Sequence, residues 1–326
     1  MDNSSMVTTA TDLNLAVIGV GGWGKNHARV LRDLGALAAI CDVNIQRSRE
    51  LAKMYDAKPY DSVDRMLQEE RKLDACIVCT PTTSHFTIAK KIMEKGINVF
   101  VEKPLSFSTK ECEEMIELTK KNKVILTSGY IERFNPAVQD VKQIIENKQY
   151  GDLLMMEFHR ENRMPTHVVD VGIIYDTSVH DIDTAMFLFN SRPHLVFACA
   201  GKKFHSYEDF ATIMLGFDEQ KVAIIASNWI TPKKVRRFSA VCTDGIITGD
   251  FITQEIKIDQ AEATITPRRQ KFQEPLTLEL KGFLDALNGK ISSSFISAID
   301  ATNVTKVAEA ALLSSNTGSP VYLDLK

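Results

Sequence analysis

A glycine-rich run that follows an apolar segment and opens a helical one constrains the fold of this chain more than any other feature. Leu13-Ile18 has the apolar pattern of a strand, and Gly19-Val20-Gly21-Gly22-Trp23-Gly24 follows it directly. This spacing lets main-chain N–H groups approach a pyrophosphate. Asp42, at the end of the next predicted strand, can accept hydrogen bonds from a ribose. The pattern indicates a dinucleotide site; the competing interpretation is a glycine-rich turn kept for tight packing.

Short apolar runs and helical stretches alternate between residues 13 and 128. We predict helices at about 22–35, 44–55, 62–70, 83–95 and 108–121. The six predicted strands are Leu13-Ile18, Leu37-Asp42, Lys58-Tyr60, Leu73-Cys79, Asn98-Val101 and Val124-Ser128. Such alternation with right-handed crossovers predicts a doubly wound parallel sheet, whose ligand crevice lies at the carboxyl ends of the strands.

The pattern changes after residue 129. Helices are predicted near 135–147, 178–190 and 296–315, and no helix is predicted between 244 and 295. Consecutive short strands, joined by turns, are predicted at Leu195-Phe204, Phe210-Phe217, Val222-Ile230 and Arg237-Thr243, which favours a largely antiparallel sheet. The fold class is therefore α/β: a loose tail over residues 1–12, a parallel-sheet domain over 13–128, and an α+β domain over 129–326 built on an open, largely antiparallel sheet.

Composition excludes several classes of protein. The 326 residues carry 39 Lys and Arg against 42 Asp and Glu, and no basic block is present, so nucleic acid is not an expected partner. The first residues lack the features of a signal peptide, and no apolar run is long enough for a membrane helix. We expect a cytoplasmic protein with free thiols. Cys76 and Cys79 form a CxxC inside an apolar run, which favours a buried strand over a metal or redox site.

Two further segments contain side chains suited to proton transfer. Glu102-Lys103-Pro104 ends a predicted strand, where the proline can fix a turn that points the lysine into the crevice. Asp176 and His180 lie one turn apart if the chain is helical from about Tyr175. A histidine that is neutral near pH 7 can accept a hydroxyl proton, and a lysine can stabilise the charge that develops on the oxygen.

With these motifs the chain resembles the glucose-fructose oxidoreductase, inositol dehydrogenase and MocA (Gfo/Idh/MocA) family of nicotinamide-dependent sugar oxidoreductases. The resemblance covers nearly the whole chain and rests on the glycine run, Thr80-Pro81, Glu102-Lys103-Pro104 and Asp176-x-x-x-His180. It implies an N-terminal Rossmann domain, a second domain whose open sheet forms a dimer or tetramer, and catalysis by Lys103, Asp176 and His180. Asp176 would orient the substrate or the imidazole.

The cofactor site is expected to combine the glycine run and Asp42 with Thr80, Pro81, His85, Glu102 and Lys103. A packing role for His85 stays open. The Asp42 carboxylate would repel a 2′-phosphate and so favours NAD over NADP, unless Arg47 and Arg49 neutralise that phosphate. No cluster of residues has metal-ligand spacing, so no metal is expected.

The expected substrate follows from resemblance alone. Glu132-Arg133-Phe134-Asn135-Pro136 is similar to the family branch that oxidises the 3-hydroxyl of UDP-N-acetylglucosamine or its uronic acid, which makes Arg133 and Asn135 candidate substrate residues. A helix-start role for this segment competes. Arg160, Arg163 and Lys202 either meet a diphosphate or are surface charges. Two other functions stay open: a dehydrogenase of a free sugar or inositol-like polyol, and an NAD-binding sensor without turnover.

Overall fold

The computed structural model describes residues 12–165, 170–267 and 272–325, and these form two sheets with helices packed against them. The helices are α1 (Gly24–Asp33), α2 (Ile45–Tyr55), α3 (Val63–Glu69), α4 (His85–Met93), α5 (Thr109–Asn122), α6 (Pro136–Glu146), α7 (Val179–Phe189), α8 (Pro275–Leu287) and α9 (Ala298–Thr317). The strands are β1 (Leu15–Ile18), β2 (Leu37–Cys41), β3 (Lys58–Tyr60), β4 (Ala75–Val78), β5 (Asn98–Val101), β6 (Leu126–Ser128), β7 (Leu153–Glu161), β8 (Leu195–Gly201), β9 (Phe210–Gly216), β10 (Val222–Asn228), β11 (Val235–Cys242), β12 (Gly245–Asp250), β13 (Ile256–Asp259), β14 (Thr264–Ile265) and β15 (Val321–Tyr322).

The first sheet is parallel, with strand order β3-β2-β1-β4-β5-β6. Both of its faces are covered, because alternate residues of β1 enter two different apolar clusters: Leu15 and Val17 pack with α1, and Ala16 and Ile18 pack with the cluster that contains α4 and α5. The predicted doubly wound sheet is confirmed. Its carboxyl edge carries the glycine run, Asp42, Thr80 and Lys103.

The second sheet has the order β14-β13-β12-β11-β7-β10-β9-β8-β15, and every neighbouring pair is antiparallel except β7 with β10. Helices α7 and α9 cover one face. On the opposite face, β9 leaves Phe210 and Met214 exposed. The predicted largely antiparallel open sheet is confirmed.

Helix α8 corrects the prediction that residues 244–295 contain no helix. Pro275 stands in its first turn, where a missing N–H costs nothing. Leu276, Leu280 and Phe283 then join the apolar cluster of α1 and β1, and the Phe283 ring lies 5.6 Å from that of Phe100. A late segment of the chain therefore completes the cover of the first sheet.

Other outcomes are local. Cys76 is buried in β4, as predicted, and Cys79 lies just beyond the strand. Residues 1–11 of the predicted tail lie outside the described residues. Among the described helices, none is long and apolar enough to cross a membrane.

Candidate active site

The glycine run has the backbone geometry that a dinucleotide needs. Gly19 has φ +82°, and a Cβ there would lie 2.8 Å from the carbonyl oxygen of Cys79. A Cβ at Gly24 would collide with the carbonyl oxygen of Gly19, whereas one at Gly21 would meet only Arg47, at 3.7 Å. The three positions thus match a tight turn, an open approach to the backbone, and close helix-strand packing. Gly22 and Trp23 are exposed beside them.

Asp42 lies next to this loop at the end of β2. Its Oδ2 accepts the main-chain N–H of Val20 at 2.9 Å, and Oδ1 accepts that of Asn44 at 2.8 Å. The Arg47 guanidinium is 3.3 Å from Oδ2 and half-exposed, while Arg49 is fully on the surface. The carboxylate is therefore fixed beside the loop, with one arginine within reach of the same position.

Thr80 and Pro81 extend the site beyond β4. The Thr80 side chain lies against Gly19, and its hydroxyl accepts a hydrogen bond from Ser84 at 2.7 Å; Pro81 is exposed.

His85, at the start of α4, differs from these two residues in its surroundings. It is buried, with Nδ1 2.8 Å from the carbonyl oxygen of Pro104 and Nε2 2.9 Å from that of Thr80. Both ring nitrogens of His85 thus lie against main-chain carbonyl oxygens, which fits a packing role; its expected contact with the cofactor stays a prediction.

Glu102 is likewise buried and hydrogen-bonded within the protein, and its expected contact with the cofactor stays a prediction. Its Oε1 accepts a hydrogen bond of 2.6 Å from His27 Nε2, and Oε2 accepts the main-chain N–H of Lys103 at 3.1 Å. Burial by itself would raise the pKa of Glu102, but the hydrogen bond from His27 and the charge of Lys103 outweigh it and lower that pKa. An ionised Glu102 therefore holds the start of the Lys103 turn.

Lys103 joins the two sheets. Its Nζ donates to Oδ1 of Asp176 and to the main-chain oxygen of Asp176, both at 2.7 Å. Asp176 lies in a π-helical turn, Ile174–Ser178, that leads into α7, and its Oδ2 accepts the Thr177 hydroxyl at 3.0 Å. An ammonium has three N–H groups, so Lys103 keeps one for a further acceptor.

His180 follows in the first turn of α7, as predicted. It is half-buried, and its Nδ1 has no hydrogen-bond partner among the described residues, so Asp176 does not hold the imidazole through that atom. Burial lowers the pKa of His180 well below its usual range, and the charges of Lys103, Arg160 and Arg236 lower it further. The imidazole is therefore uncharged in neutral solution, with one ring nitrogen that can accept a hydrogen bond or a proton.

Arg133 and Asn135 do not face the site as free groups. Arg133 is buried and forms a bidentate pair with Asp183, with N–O distances of 2.7 to 3.0 Å. Asn135 is buried too; it caps α6 through the N–H of Ala137 and donates to the main-chain oxygen of Phe251. Their expected contact with substrate stays a prediction, while Asn135 does cap the start of α6, as the competing interpretation has it.

Arg160 is buried, so it is not the surface charge that was the alternative expectation; its contact with a diphosphate stays a prediction. Its side chain is 1% exposed, with Nε and Nη2 donating to Asp181 and Nη1 donating to Glu132 at 2.9 Å. All three nitrogens of its guanidinium therefore donate to acids of the protein. Arg163 and Lys202 are exposed, without a hydrogen bond or ion pair of their side chains in the described part of the chain.

Comparison with known proteins gives the family. Residues 13–130 match the model of the oxidoreductase family with an NAD-binding Rossmann fold, and residues 138–248 match the GFO/IDH/MocA C-terminal domain. The chain belongs to the Gfo/Idh/MocA family. It is an NAD-dependent oxidoreductase, and the glycine run and Asp42 are the groups in this fold that fit the dinucleotide.

Two curated members of the family have similar identity and different substrates. UDP-N-acetylglucosamine 3-dehydrogenase of Acidithiobacillus ferrooxidans is 27% identical over 84% of this chain and 88% of its own. The NAD⁺-dependent scyllo-inositol 2-dehydrogenase of Bacillus subtilis is 29% identical over 95% and 96%. The solved structure of the former, named GnnA, superposes with a TM-score of 0.85 at 25% identity and covers 94% of this chain and 98% of that one.

Two residues near the site escaped sequence reasoning. Arg236 of β11 acts electrostatically on His180, and Glu279 of α8 is buried with both carboxyl oxygens unpaired among the described residues. The apolar spacing of 276, 280, 283 and 284 after Pro275 was the available signal for α8 and thus for Glu279. Nothing in the sequence distinguishes Arg236 from its neighbours Lys234 and Arg237.

Proposed function

We propose that this protein is an NAD-dependent dehydrogenase that oxidises a ring hydroxyl, the C3 hydroxyl, of a UDP-N-acetylglucosamine-type sugar nucleotide. The observation that carries the proposal is the Lys103–Asp176 contact of 2.7 Å, which brings the end of β5 against the turn that presents His180. Residues 13–128 would form the cofactor domain and 129–326 the substrate domain.

The chemistry divides between the cofactor and three side chains. Bound NAD supplies the acceptor for the hydride that leaves the ring carbon. His180, neutral because its pKa is lowered, takes the hydroxyl proton. Lys103 uses its third N–H to stabilise the charge on the oxygen as the C=O bond forms, and Asp176 positions the ammonium.

The sugar nucleotide is favoured by the similarity to GnnA in both sequence and fold. An inositol-like polyol is the second candidate, because the B. subtilis relative aligns over more of the chain. Its chemistry would use the same three side chains. An NAD-binding sensor without turnover has less support, since Lys103, Asp176 and His180 are all present.

We further propose that the enzyme assembles as a dimer or tetramer through the open face of the second sheet. Phe210 and Met214 on β9 are exposed there, and neighbouring strands add Phe197 and Ile224 at the same register as Met214. A contiguous apolar sheet face marks an interaction surface.

The decisive experiment measures the absorbance of reduced nicotinamide when protein and NAD are mixed with UDP-N-acetylglucosamine, its uronic acid, free N-acetylglucosamine or inositol. An α-keto acid is added in a parallel set, to reveal cofactor that is recycled without leaving. Reduction with UDP-sugars alone supports the proposal. Reduction with inositol or the free sugar moves the function to the second candidate, and tight NAD binding without reduction moves it to the sensor.

A further inference from the structure

The site contains an arginine that the fold leaves unpaired. Arg236 lies directly opposite Arg160 across the β11–β7 pair, so the two share the sheet face that α7 covers. Its Nε is buried without a partner, and in the described residues its guanidinium makes no hydrogen bond or ion pair. The side chain is partly exposed and only Nε is among its buried atoms, so the terminal nitrogens are open to an acceptor on a ligand.

The neighbouring acids are already occupied. Both oxygens of Asp181 accept from Arg160, and the two oxygens of Glu132 accept from Arg160 and Asn135. Asp176 accepts from Lys103 and Thr177. These are the acids whose charges act on Arg236.

The position of Arg236 puts an unused cation beside the reacting group. Its charge acts on both His180 and Asp176. Lys234, two residues earlier, adds a second positive charge, and burial together with the charges of Arg236 and Arg160 lowers the pKa of Lys234. A substrate whose hydroxyl lies at His180 would therefore have the positive charges of Arg236 and Lys234 on one side, near the start of β11.

We propose that Arg236, with Lys234 in support, binds an oxyanion of the substrate next to the hydroxyl that is oxidised. This inference rests on the proposed function and deepens it, because it requires an anionic sugar. Two groups share this chemistry: the diphosphate attached at C1 and the carboxylate at C6 of a uronic acid. A guanidinium binds either one in bidentate fashion. A neutral polyol would leave Arg236 without a partner.

The test compares Arg236→Gln with Arg237→Gln, a matched control on the same strand whose side chain points to the opposite face and pairs with Asp250. Calorimetric titration of the NAD-loaded proteins gives Kd for UDP, UDP-N-acetylglucosamine and its uronic acid. Arg236→Gln should weaken binding roughly 10- to 100-fold, as expected for one charge-assisted hydrogen-bonded pair. Arg237→Gln should bind as the wild type does.

The three ligands distinguish the two anions. Equal weakening for all three assigns Arg236 to the diphosphate, and weakening for the uronic acid alone assigns it to the carboxylate. Unchanged Kd values in Arg236→Gln for all three overturn the inference while the proposed function stands. Wild-type protein that neither binds nor oxidises any UDP-sugar overturns the proposed function itself.

Thermal unfolding without ligand separates this binding role from a structural one. Removing an unpaired cation beside Arg160 should leave Tm unchanged or raise it, because like charges repel. Arg236→Lys, which retains the charge but not the planar fork, should bind with intermediate affinity. A large drop in Tm for both variants, with binding losses only in proportion to unfolded protein, would contradict a ligand-binding role.

Discussion

Lys103 and His180 are both expected to act on the reacting oxygen of the substrate and not on the dinucleotide. We predict that Lys103→Ala and His180→Ala lower kcat by about two to four orders of magnitude while the Kd for NAD stays nearly unchanged. Steady-state kinetics and NAD titration measure the two quantities. His194→Ala, an exposed histidine, serves as control. Near-normal turnover in either site variant would refute the assigned roles.

Asp42 is expected to set the preference for NAD over NADP through its negative charge. Asp42→Asn keeps an acceptor for the Val20 N–H but removes the repulsion of a 2′-phosphate. The ratio of kcat/KM for NAD to that for NADP should fall about tenfold, helped by Arg47 within 3.3 Å. Glu50→Gln on the surface of α2 should not change the ratio. A constant ratio in Asp42→Asn would contradict the ribose contact.

At the residue scale, motifs with fixed spacing were predictable and charge pairing was not. The glycine run and Asp42 occupy the positions that their spacing indicated, because neighbouring strand ends determine them locally. Arg160 was expected either to meet a diphosphate or to be a surface charge, yet it is buried, and its acceptors Asp181 and Glu132 come from two other segments. Whether an arginine such as Arg160 is paired depends on tertiary contacts of this kind, which local sequence does not reveal.

Among the elements, α8 was missed, the other helices were predicted to within a few residues, and strands β7, β12, β13 and β14 were given no bounds. Alternating apolar residues revealed the strands of both sheets, whereas α8 follows a long stretch of short strands and turns. The apolar residues of α8 are spaced along the sequence as a helix requires, but the helix they pack against, α1, lies far earlier in the chain. Local pattern alone therefore could not reveal what the helix covers.

Glu279, on the same helix, makes the stability of the folded protein depend on pH. Burial raises its pKa well above the ordinary value of 4.5, and the charges of Glu102, Asp183 and Glu132 raise it further. Those three acids have His27, Arg133 and Arg160 as partners. Glu279 therefore holds a proton when folded that the unfolded chain releases above pH about 4.5, and stability falls as the pH rises from there toward the folded pKa.

We predict that Glu279→Gln removes this dependence. The variant should match the wild type in Tm near pH 4.5 and exceed it by a growing margin as the pH rises from there toward the folded pKa, because each pH unit in between is worth about 1.4 kcal/mol. Thermal unfolding followed by circular dichroism across this range measures the difference. Asp285→Asn, exposed on the same helix, should show no such trend. A Tm difference that does not vary with pH would contradict the protonated state.

For the whole molecule, the open sheet face is the feature with the largest expected effect. Met214→Lys puts a charge at the centre of its apolar row and should dissociate an assembly into monomers of 36.5 kDa. Light scattering coupled to size exclusion measures the mass. Leu313→Lys, at an exposed apolar residue on α9, is the control and should leave the mass unchanged. A wild type that is already monomeric would rule out this interface.

Helix α8 also affects how the molecule is made. The ribosome synthesises all six strands of the parallel sheet long before it synthesises Pro275–Leu287. Until then α1 and Phe100 lack the helix that covers them. During that interval the nascent chain exposes an apolar seam to which chaperones can bind. The first domain is thus synthesised early, but its apolar core is completed only when α8 has been made. A chain that terminates before residue 275 would leave the apolar surface of α1 and Phe100 uncovered.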